Sequence, residues 1–290
     1  MRQTDREPLA MAPPSAELIG ELLGLVAAIA AAGIVTGLLA GLFGIGGGAV
    51  MIPVLFEVFR IVGVPEEVRM QLCLGTSLAI MVPTTLRSYR AHRARQSGAP
   101  GVLRRWVPPA VAGVAVGSAV AAIAPPGFFK AAFAVIGGLI AAKLLFGQEG
   151  WVLGSDLPNR PAMTAYGFLI GLGSSLMGIA GGSLGTIVLT LYRRPIHEAV
   201  ATAAGLGVPI TLTGAIGYAL AGLRYQSELP PLSVGFVSAI GLVLIAPVSS
   251  YVAPFGARLA HRLSRRSLEI AFGLFLLLAA ARFLVSALAG

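Results

Sequence analysis

Charged residues are scarce in this chain. Only 11% of its 290 residues are charged and 56% are hydrophobic, whereas soluble domains are about 25% charged. So few polar side chains cannot cover a soluble globule of this size, which excludes an ordinary soluble enzyme or binding domain. The single cysteine, Cys73, excludes an intrachain disulfide and a cysteine-based metal cluster. The composition therefore predicts a polytopic membrane protein.

Catalytic patterns are also missing. The sequence contains no HExxH, GxSxG or Walker motif, and no acidic residue lies at the centre of an apolar stretch. We therefore predict no enzyme activity, no catalytic residue, no cofactor and no metal site. The net charge of +9 would indicate a nucleic-acid partner in a soluble protein. Here the basic residues lie in loops between apolar stretches, where they indicate membrane topology instead.

Glycine, by contrast, is abundant, with 38 residues. The apolar stretches number eight, if Lys130 and Lys143 extend their charges to the membrane interface: 22–56, 70–86, 106–129, 130–146, 161–192, 199–223, 229–257 and 268–288. A membrane-spanning helix needs about 20 residues, so the first and fifth stretches are too long for one crossing. Both contain glycine clusters, at 41–48 and 178–183. Since glycine costs about 1 kcal/mol against alanine within a helix, we predict a helix break at each cluster.

The two long stretches are copies of each other. A shift of 134 aligns 33–48 with 167–182, with eight of sixteen positions identical, and a shift of 126 then aligns Thr76 with Thr202 and Pro83 with Pro209. The sequence thus divides into a polar tail at 1–17, a first transmembrane repeat at 18–148, a linker at 149–160 and a second repeat at 161–290. The matching prolines are expected to act as helix kinks or gating points, or simply as packing kinks.

Arginines are distributed unevenly over the loops. The loops 87–105 and 258–266 hold six and four arginines and no acidic residue, which indicates the cytoplasmic side. Eight simple crossings would put these two loops on opposite sides, whereas hairpins at the two long stretches put both inside. The predicted fold is therefore an all-α polytopic membrane protein with two inverted repeats. Each repeat has a broken, re-entrant or hairpin helix pair plus three transmembrane helices, an architecture typical of secondary transporters.

The helix breaks suit a small anion. Short helices starting near Gly48 and near Ser183 would direct unpaired N–H groups and positive dipole ends at the break. The candidate substrate-binding residues are glycines with accessible amides and nearby hydroxyls: Gly46, Gly47, Gly48, Gly181, Gly182, Thr76, Ser77, Ser183 and Thr202. Close helix packing is the competing explanation, and we favour it for the Gly-x-x-x-Gly spacings at Gly33, Gly37, Gly41, Gly167 and Gly171.

The motifs resemble those of the TauE/SafE sulfite exporter family. The resemblance rests on GLLAGLFGIGGGAVMIP at 37–53, LGTSLAIMVP at 74–83, SYRAHRAR at 88–95, GIAGGS at 178–183 and ATAAGLGVP at 201–209. It implies a multi-pass permease of the bacterial inner membrane that exports sulfite, sulfoacetate or a related organosulfonate. The second repeat departs from the pattern, because Ala203 replaces the serine found at Ser77, so Thr76 and Ser77 are the stronger hydroxyl candidates.

Other functions stay open at this stage. The chain could instead be a permease for a non-sulfur organic anion or a non-transporting membrane subunit. The expected partners are a small anionic substrate and the lipid bilayer. Coupling to a proton or another ion and assembly into a homo-oligomer are not decided by the sequence.

Overall fold

The computed structural model describes residues 31, 33–39, 48–94, 98–147, 152–154, 156–260 and 262–288. The predicted site residues Gly46 and Gly47 lie outside these ranges, as does Gly41. After a helical stretch at 33–39, nine α-helices follow in the described residues: α1 Gly48–Ile61, α2 Glu66–Ala94, α3 Pro100–Ala121, α4 Pro126–Phe146, α5 Arg160–Met177, α6 Gly182–Leu191, α7 Ile196–Ala221, α8 Ala239–Ala260 and α9 Arg265–Leu288.

The second predicted helix break is confirmed. Helix α5 begins after Asn159, whose side chain accepts a hydrogen bond from the amide of Ala162, and it ends at Gly178 in the left-handed conformation. Helix α6 starts at Gly182 after Gly181, also left-handed. Helix α1 starts at Gly48, which the repeat aligns with Gly182. The aligned glycines Gly48 and Gly182 therefore both belong to the short helices α1 and α6.

The stretch 229–257 is not helical throughout, which corrects the expectation of one continuous segment. It begins with a small antiparallel ribbon of β1 Ser233–Val234 and β2 Val237–Ser238. Pro230 and Pro231 precede this ribbon, and prolines cannot supply the amides that a helix interior requires. Gly235 turns the ribbon with φ 52°. Helix α8 starts only after the ribbon.

Several helices present apolar side chains outward. Three described helices are long and apolar enough to cross a membrane: Pro126–Phe146, Ile196–Ala221 and Arg266–Leu288. Large hydrophobic side chains are exposed along them, including Leu139, Leu220 and Leu278, as expected of surfaces that contact lipid. Helix α2 is not among the three, because polar side chains such as Gln71 and Thr76 lower its hydropathy. These side chains are buried inside the protein.

Helices α2 and α7, which the repeat aligns with each other, pack antiparallel at the centre. Leu78 contacts Gly214, whereas Tyr89, further along α2, contacts Gly205, earlier in α7. Helices α4 and α9, each the last helix of its half, are also antiparallel, since Lys130 contacts Ser286 and Leu145 contacts Gly273. Within each pair, the two helices run in opposite directions.

Glycine allows close crossing between the halves. A Cβ atom on Gly171 of α5 would overlap the carbonyl oxygen of Ala110 in α3, and one on Gly167 would lie 2.8 Å from Pro109. At the corresponding crossing of 33–39 with α8, a Cβ on Gly37 would lie 2.6 Å from the carbonyl oxygen of Ser249. The packing role predicted for Gly37, Gly167 and Gly171 is therefore confirmed.

Helix α6 turns back toward the start of α5. The Tyr192 hydroxyl, just after α6, lies 2.9 Å from that of Tyr166 in α5. The amide of Leu153, which precedes α5, donates to the carbonyl of Leu191 at 2.8 Å. Helices α5 and α6 therefore form a hairpin whose tip is the glycine break.

Candidate functional site

The break between α5 and α6 leaves a helix N-terminus without a cap. The first bond within α6 runs from the amide of Gly185 to the carbonyl of Gly181 at 2.9 Å. The preceding amides, such as those of Gly182 and Leu184, therefore have no acceptor inside the helix. Gly181 occupies the N-cap position and has no side chain that could accept from them. These amides and the helix dipole create a local preference for negative charge.

The two glycines at this N-terminus have different surroundings. Gly181 has φ +74°, and a Cβ there would lie 2.5 Å from Cδ1 of Ile210, so its backbone and its contacts both require glycine. Among the described residues, nothing lies within 4 Å of the Cβ position of Gly182, which is half-buried. Open space thus adjoins the uncapped amides, and Ser183, the next residue of α6, is also half-buried.

Ser174 faces the break and was missing from the sequence-based candidates. Its hydroxyl oxygen lies 3.0 Å from the position of a Cβ on Gly181. The side chain is fully buried, and its Oγ has no hydrogen-bond partner in the described part of the chain. A buried hydroxyl without a partner is costly and calls for an explanation. The sequence feature that could have indicated Ser174 is the serine pair Ser174–Ser175, which lies one turn before the break in an otherwise apolar stretch.

The start of α1 lies beside the same break. Ser77 in α2 donates its hydroxyl to the carbonyl of Gly178 at 2.8 Å. A Cβ on Gly48 would lie 3.0 Å from that same carbonyl oxygen. Of the predicted candidates, Gly48, Ser77, Gly181, Gly182 and Ser183 are thus brought together around one break.

The two predicted threonines bind distant backbone amides. Thr76 accepts a hydrogen bond from the amide of Ser238 at 2.9 Å, just before α8, and Thr202 accepts one from the amide of Ala99 at 2.8 Å, just before α3. Both threonines are buried. Each one fixes the start of a helix that belongs to the other half of the chain.

Pro83 and Pro209 lie within α2 and α7. Two residues after each proline is a threonine, and the hydroxyls of these threonines, Thr85 and Thr211, lie 3.1 Å apart. Their separation of 126 residues equals the repeat shift. A Cβ on Gly207 would lie 3.2 Å from Thr85 and 3.3 Å from the carbonyl oxygen of Ala180, so this pair is close to the break.

Ion pairs occur at the helix ends. Lys130 pairs with Glu66 and donates to the Ser286 hydroxyl at 2.9 Å, and Arg282 pairs with Glu57. The Lys130 ammonium holds the pKa of the Glu66 carboxyl below its ordinary value by hydrogen bonding and by charge. Lys130 is only 3% exposed, and its ammonium reaches the half-exposed carboxylate of Glu66 at the start of α2. Lys130 is buried because Glu66 supplies its counter-charge.

Comparisons with known proteins agree with the membrane architecture. The family model described as Sulfite exporter TauE/SafE matches residues 29–283. A probable membrane transporter protein of Haemophilus influenzae is 28% identical over 240 residues, which cover 82% of this chain and 90% of that protein. A probable membrane transporter protein of Methanocaldococcus jannaschii is 25% identical over 248 residues, with the same two coverages.

Proposed function

The chain belongs to the sulfite exporter TauE/SafE family, and on this basis we propose that it is a secondary transporter that exports a small sulfur-containing anion. The proposed substrates are sulfite, sulfoacetate or a related organosulfonate. The proposed binding site is the break between α5 and α6, together with the start of α1. Relatives named as probable membrane transporters support the general class of transporter.

One observation carries the anion assignment. The N-terminus of α6 has no side-chain cap, it adjoins open space at Gly182, and the unpartnered hydroxyl of Ser174 is next to it. Amides at a helix N-terminus stabilise oxyanions without a lysine or arginine. The same donors would bind a cation poorly, because the dipole end is positive.

The inverted arrangement of the halves also suits a carrier. The antiparallel orientation of α2 with α7, and of α4 with α9, supports an axis between the halves that lies in the membrane plane. A hydrogen bond between the equivalent residues Thr85 and Thr211 supports an axis passing between them. In transporters with inverted repeats, the substrate site lies where the broken helices meet, near the middle of the bilayer.

The proposed membrane orientation follows from the loop charges. The hairpin of α5 and α6 supports an enter-and-return path for the second long apolar stretch. With such hairpins in both halves, the arginine-rich loops 87–105 and 258–266 face the cytoplasm. The family resemblance makes the bacterial inner membrane the proposed location.

Transport by purified protein in liposomes tests the proposal. We expect efflux of labelled sulfite or of an organosulfonate above that of empty liposomes. Gly182→Leu should reduce this efflux to background, because the leucine extends into the space next to the amides, where a Cβ atom meets no described residue within 4 Å. Gly127→Leu is the matched control: Gly127 is also half-buried in the first turn of its helix, and nothing lies within 4 Å of its Cβ position.

Three results would contradict parts of this proposal. Equal efflux by the two variants would refute the site at α6. Efflux of organic anions that lack sulfur, without any efflux of sulfur anions, would refute the substrate class. No transport of any anion by the wild-type protein would favour a non-transporting membrane subunit.

A further inference from the structure

The residues around the break between α5 and α6 limit the charge of any anion that could bind there. The chain stretches that meet there, 48–56, 70–86, 161–192 and 199–223, contain no charged residue. Apart from the neutral serines Ser174 and Ser77, the side chains against Gly181 and Gly178 are apolar: Ile170, Ile210, Ile52 and Leu74. The nearest charges along the chain, Glu57 and Arg69, bind partners at the helix ends, which are Arg282 and the carbonyl of Val64. A bound anion would therefore have neutral donors only.

The hydroxyl of Ser174 is the observation that indicates a ligand at this N-terminus. It is fully buried and has no hydrogen-bond partner among the described residues. Its oxygen lies 3.0 Å from the position of a Cβ on Gly181, the residue that precedes the first-turn amides of α6. An anion oxygen bound to the amides of α6 would give this O–H its missing acceptor.

We propose that this site, if the chain is the anion carrier proposed above, selects monovalent oxyanions and uses Ser174 as a direct ligand. The cost of transferring an ion from water rises with the square of its charge, so a dianion loses about four times the hydration energy of a monoanion. Neutral amides and hydroxyls, together with half a unit of helix dipole charge, can offset the dehydration energy of a monoanion. They offset a much smaller share of the dehydration energy of a dianion. The apolar walls leave no cation to neutralise a second negative charge.

This selectivity divides the candidate substrates. Sulfite exists near neutral pH as a mixture of a monoanion, hydrogen sulfite, and a dianion. The site accepts the monoanion. A simple alkylsulfonate carries one charge at all physiological pH values and is also accepted. Sulfoacetate, with a sulfonate and a carboxylate, carries two charges and is disfavoured, as is sulfate.

Competition against labelled sulfite uptake tests the proposal. Full-length protein in liposomes is assayed with the same pH inside and outside, so that no proton gradient contributes. The competitors are methanesulfonate, sulfoacetate and sulfate. We expect the inhibition constant of methanesulfonate to be the same at all pH values and the inhibition constants of the two dianions to be much larger. The half-saturating concentration of total sulfite should rise roughly tenfold between about one pH unit below and one above its second pKa, following the monoanion fraction.

Serine variants test the role of Ser174. Ser174→Ala should weaken competition by methanesulfonate about tenfold, the usual effect of one lost hydrogen bond to a charged group. Ser175→Ala is the matched control. Ser175 is the adjacent residue of α5, and it is equally buried and without a partner for its Oγ, but it packs against Gly117 of α3. This control should compete like the wild type.

The possible failures are distinguishable. If sulfate or sulfoacetate competes as well as methanesulfonate, monoanion selection is refuted while anion transport stands. If the two serine variants behave alike, Ser174 is not a ligand. If the wild-type protein neither transports nor is inhibited by any of these anions, the proposed function itself fails.

Discussion

The crossing of α3 and α5 offers a quantitative test of how the two halves are held together. Gly171→Ala adds one methyl group at the closest point of this crossing. The new Cβ would overlap the carbonyl oxygen of Ala110 and lie 2.7 Å from its carbonyl carbon and 2.8 Å from its Cα. All three are backbone atoms, so no side-chain rotation relieves the overlap.

The expected loss of stability follows from these distances. Carbon atoms in contact normally lie about 3.5–4.0 Å apart, so the helices must separate by about 1 Å. That separation also loosens the neighbouring contacts of Gly167 with Pro109 and of Gly117 with Ser175. Overpacking costs about 1–3 kcal/mol, and a rigid backbone contact belongs at the upper end. Alanine regains about 1 kcal/mol of helix preference, which leaves a net loss of about 2 kcal/mol.

The control is a glycine with open space. Gly138→Ala in α4 places its Cβ where nothing lies within 4 Å, so it should stabilise the protein by up to about 1 kcal/mol. Free energies of unfolding, measured by denaturant titration of the purified proteins in detergent micelles, compare the two variants. If Gly171→Ala is as stable as Gly138→Ala, the two helices do not cross at this contact and the packing argument is wrong.

Two further predictions concern the ion pair and the relation between the halves. Lys130→Met should lower the free energy of unfolding by at most about 1 kcal/mol at neutral pH, because Glu66 is half exposed and becomes hydrated. The lowered pKa of Glu66 means that its ion pair stabilises the protein above the unfolded carboxyl pKa and is lost as the pH falls through the folded one. The variant should therefore lose less stability than the wild type on acidification, and equal acid sensitivity would contradict this. Thr85→Cys with Thr211→Cys, in a chain whose single native cysteine Cys73 is replaced by serine, should form an intramolecular disulfide on oxidation, since the native hydroxyls lie 3.1 Å apart. Either cysteine alone is the control, and a double variant that stays reduced would show that these positions do not meet.

The helix break at 178–182 could be predicted from the sequence because its cause is local, whereas the first predicted break lies outside the described residues. Glycine clusters such as 178–183 disfavour a helix wherever they occur, and the duplication marks the corresponding position at Gly48. The partners of the hydroxyls could not be predicted in this way. Thr76 binds the amide of Ser238, 162 positions away, and Thr202 binds that of Ala99, 103 positions away. Only the packing of the halves decides whether such a hydroxyl faces a ligand or a backbone amide.

The duplicated framework does not contain a duplicated site. Three serines surround the second break, and in the aligned sequence of the other half each is replaced by alanine: Ser77 by Ala203, Ser174 by Ala40 and Ser183 by Ala49. Helix α6 starts at Gly182, and the aligned glycine of the other half, Gly48, lies in α1. Hydroxyl donors remain around one copy only. Ser77 already donates its hydroxyl to the carbonyl of Gly178 and so stabilises the break itself. The proposed anion would instead use Ser174, whose buried hydroxyl has no partner among the described residues. Because an anion without a cationic partner depends on the neutral donors around it, the alanine aligned with Ser174 favours a single site at the α6 break over two equivalent ones.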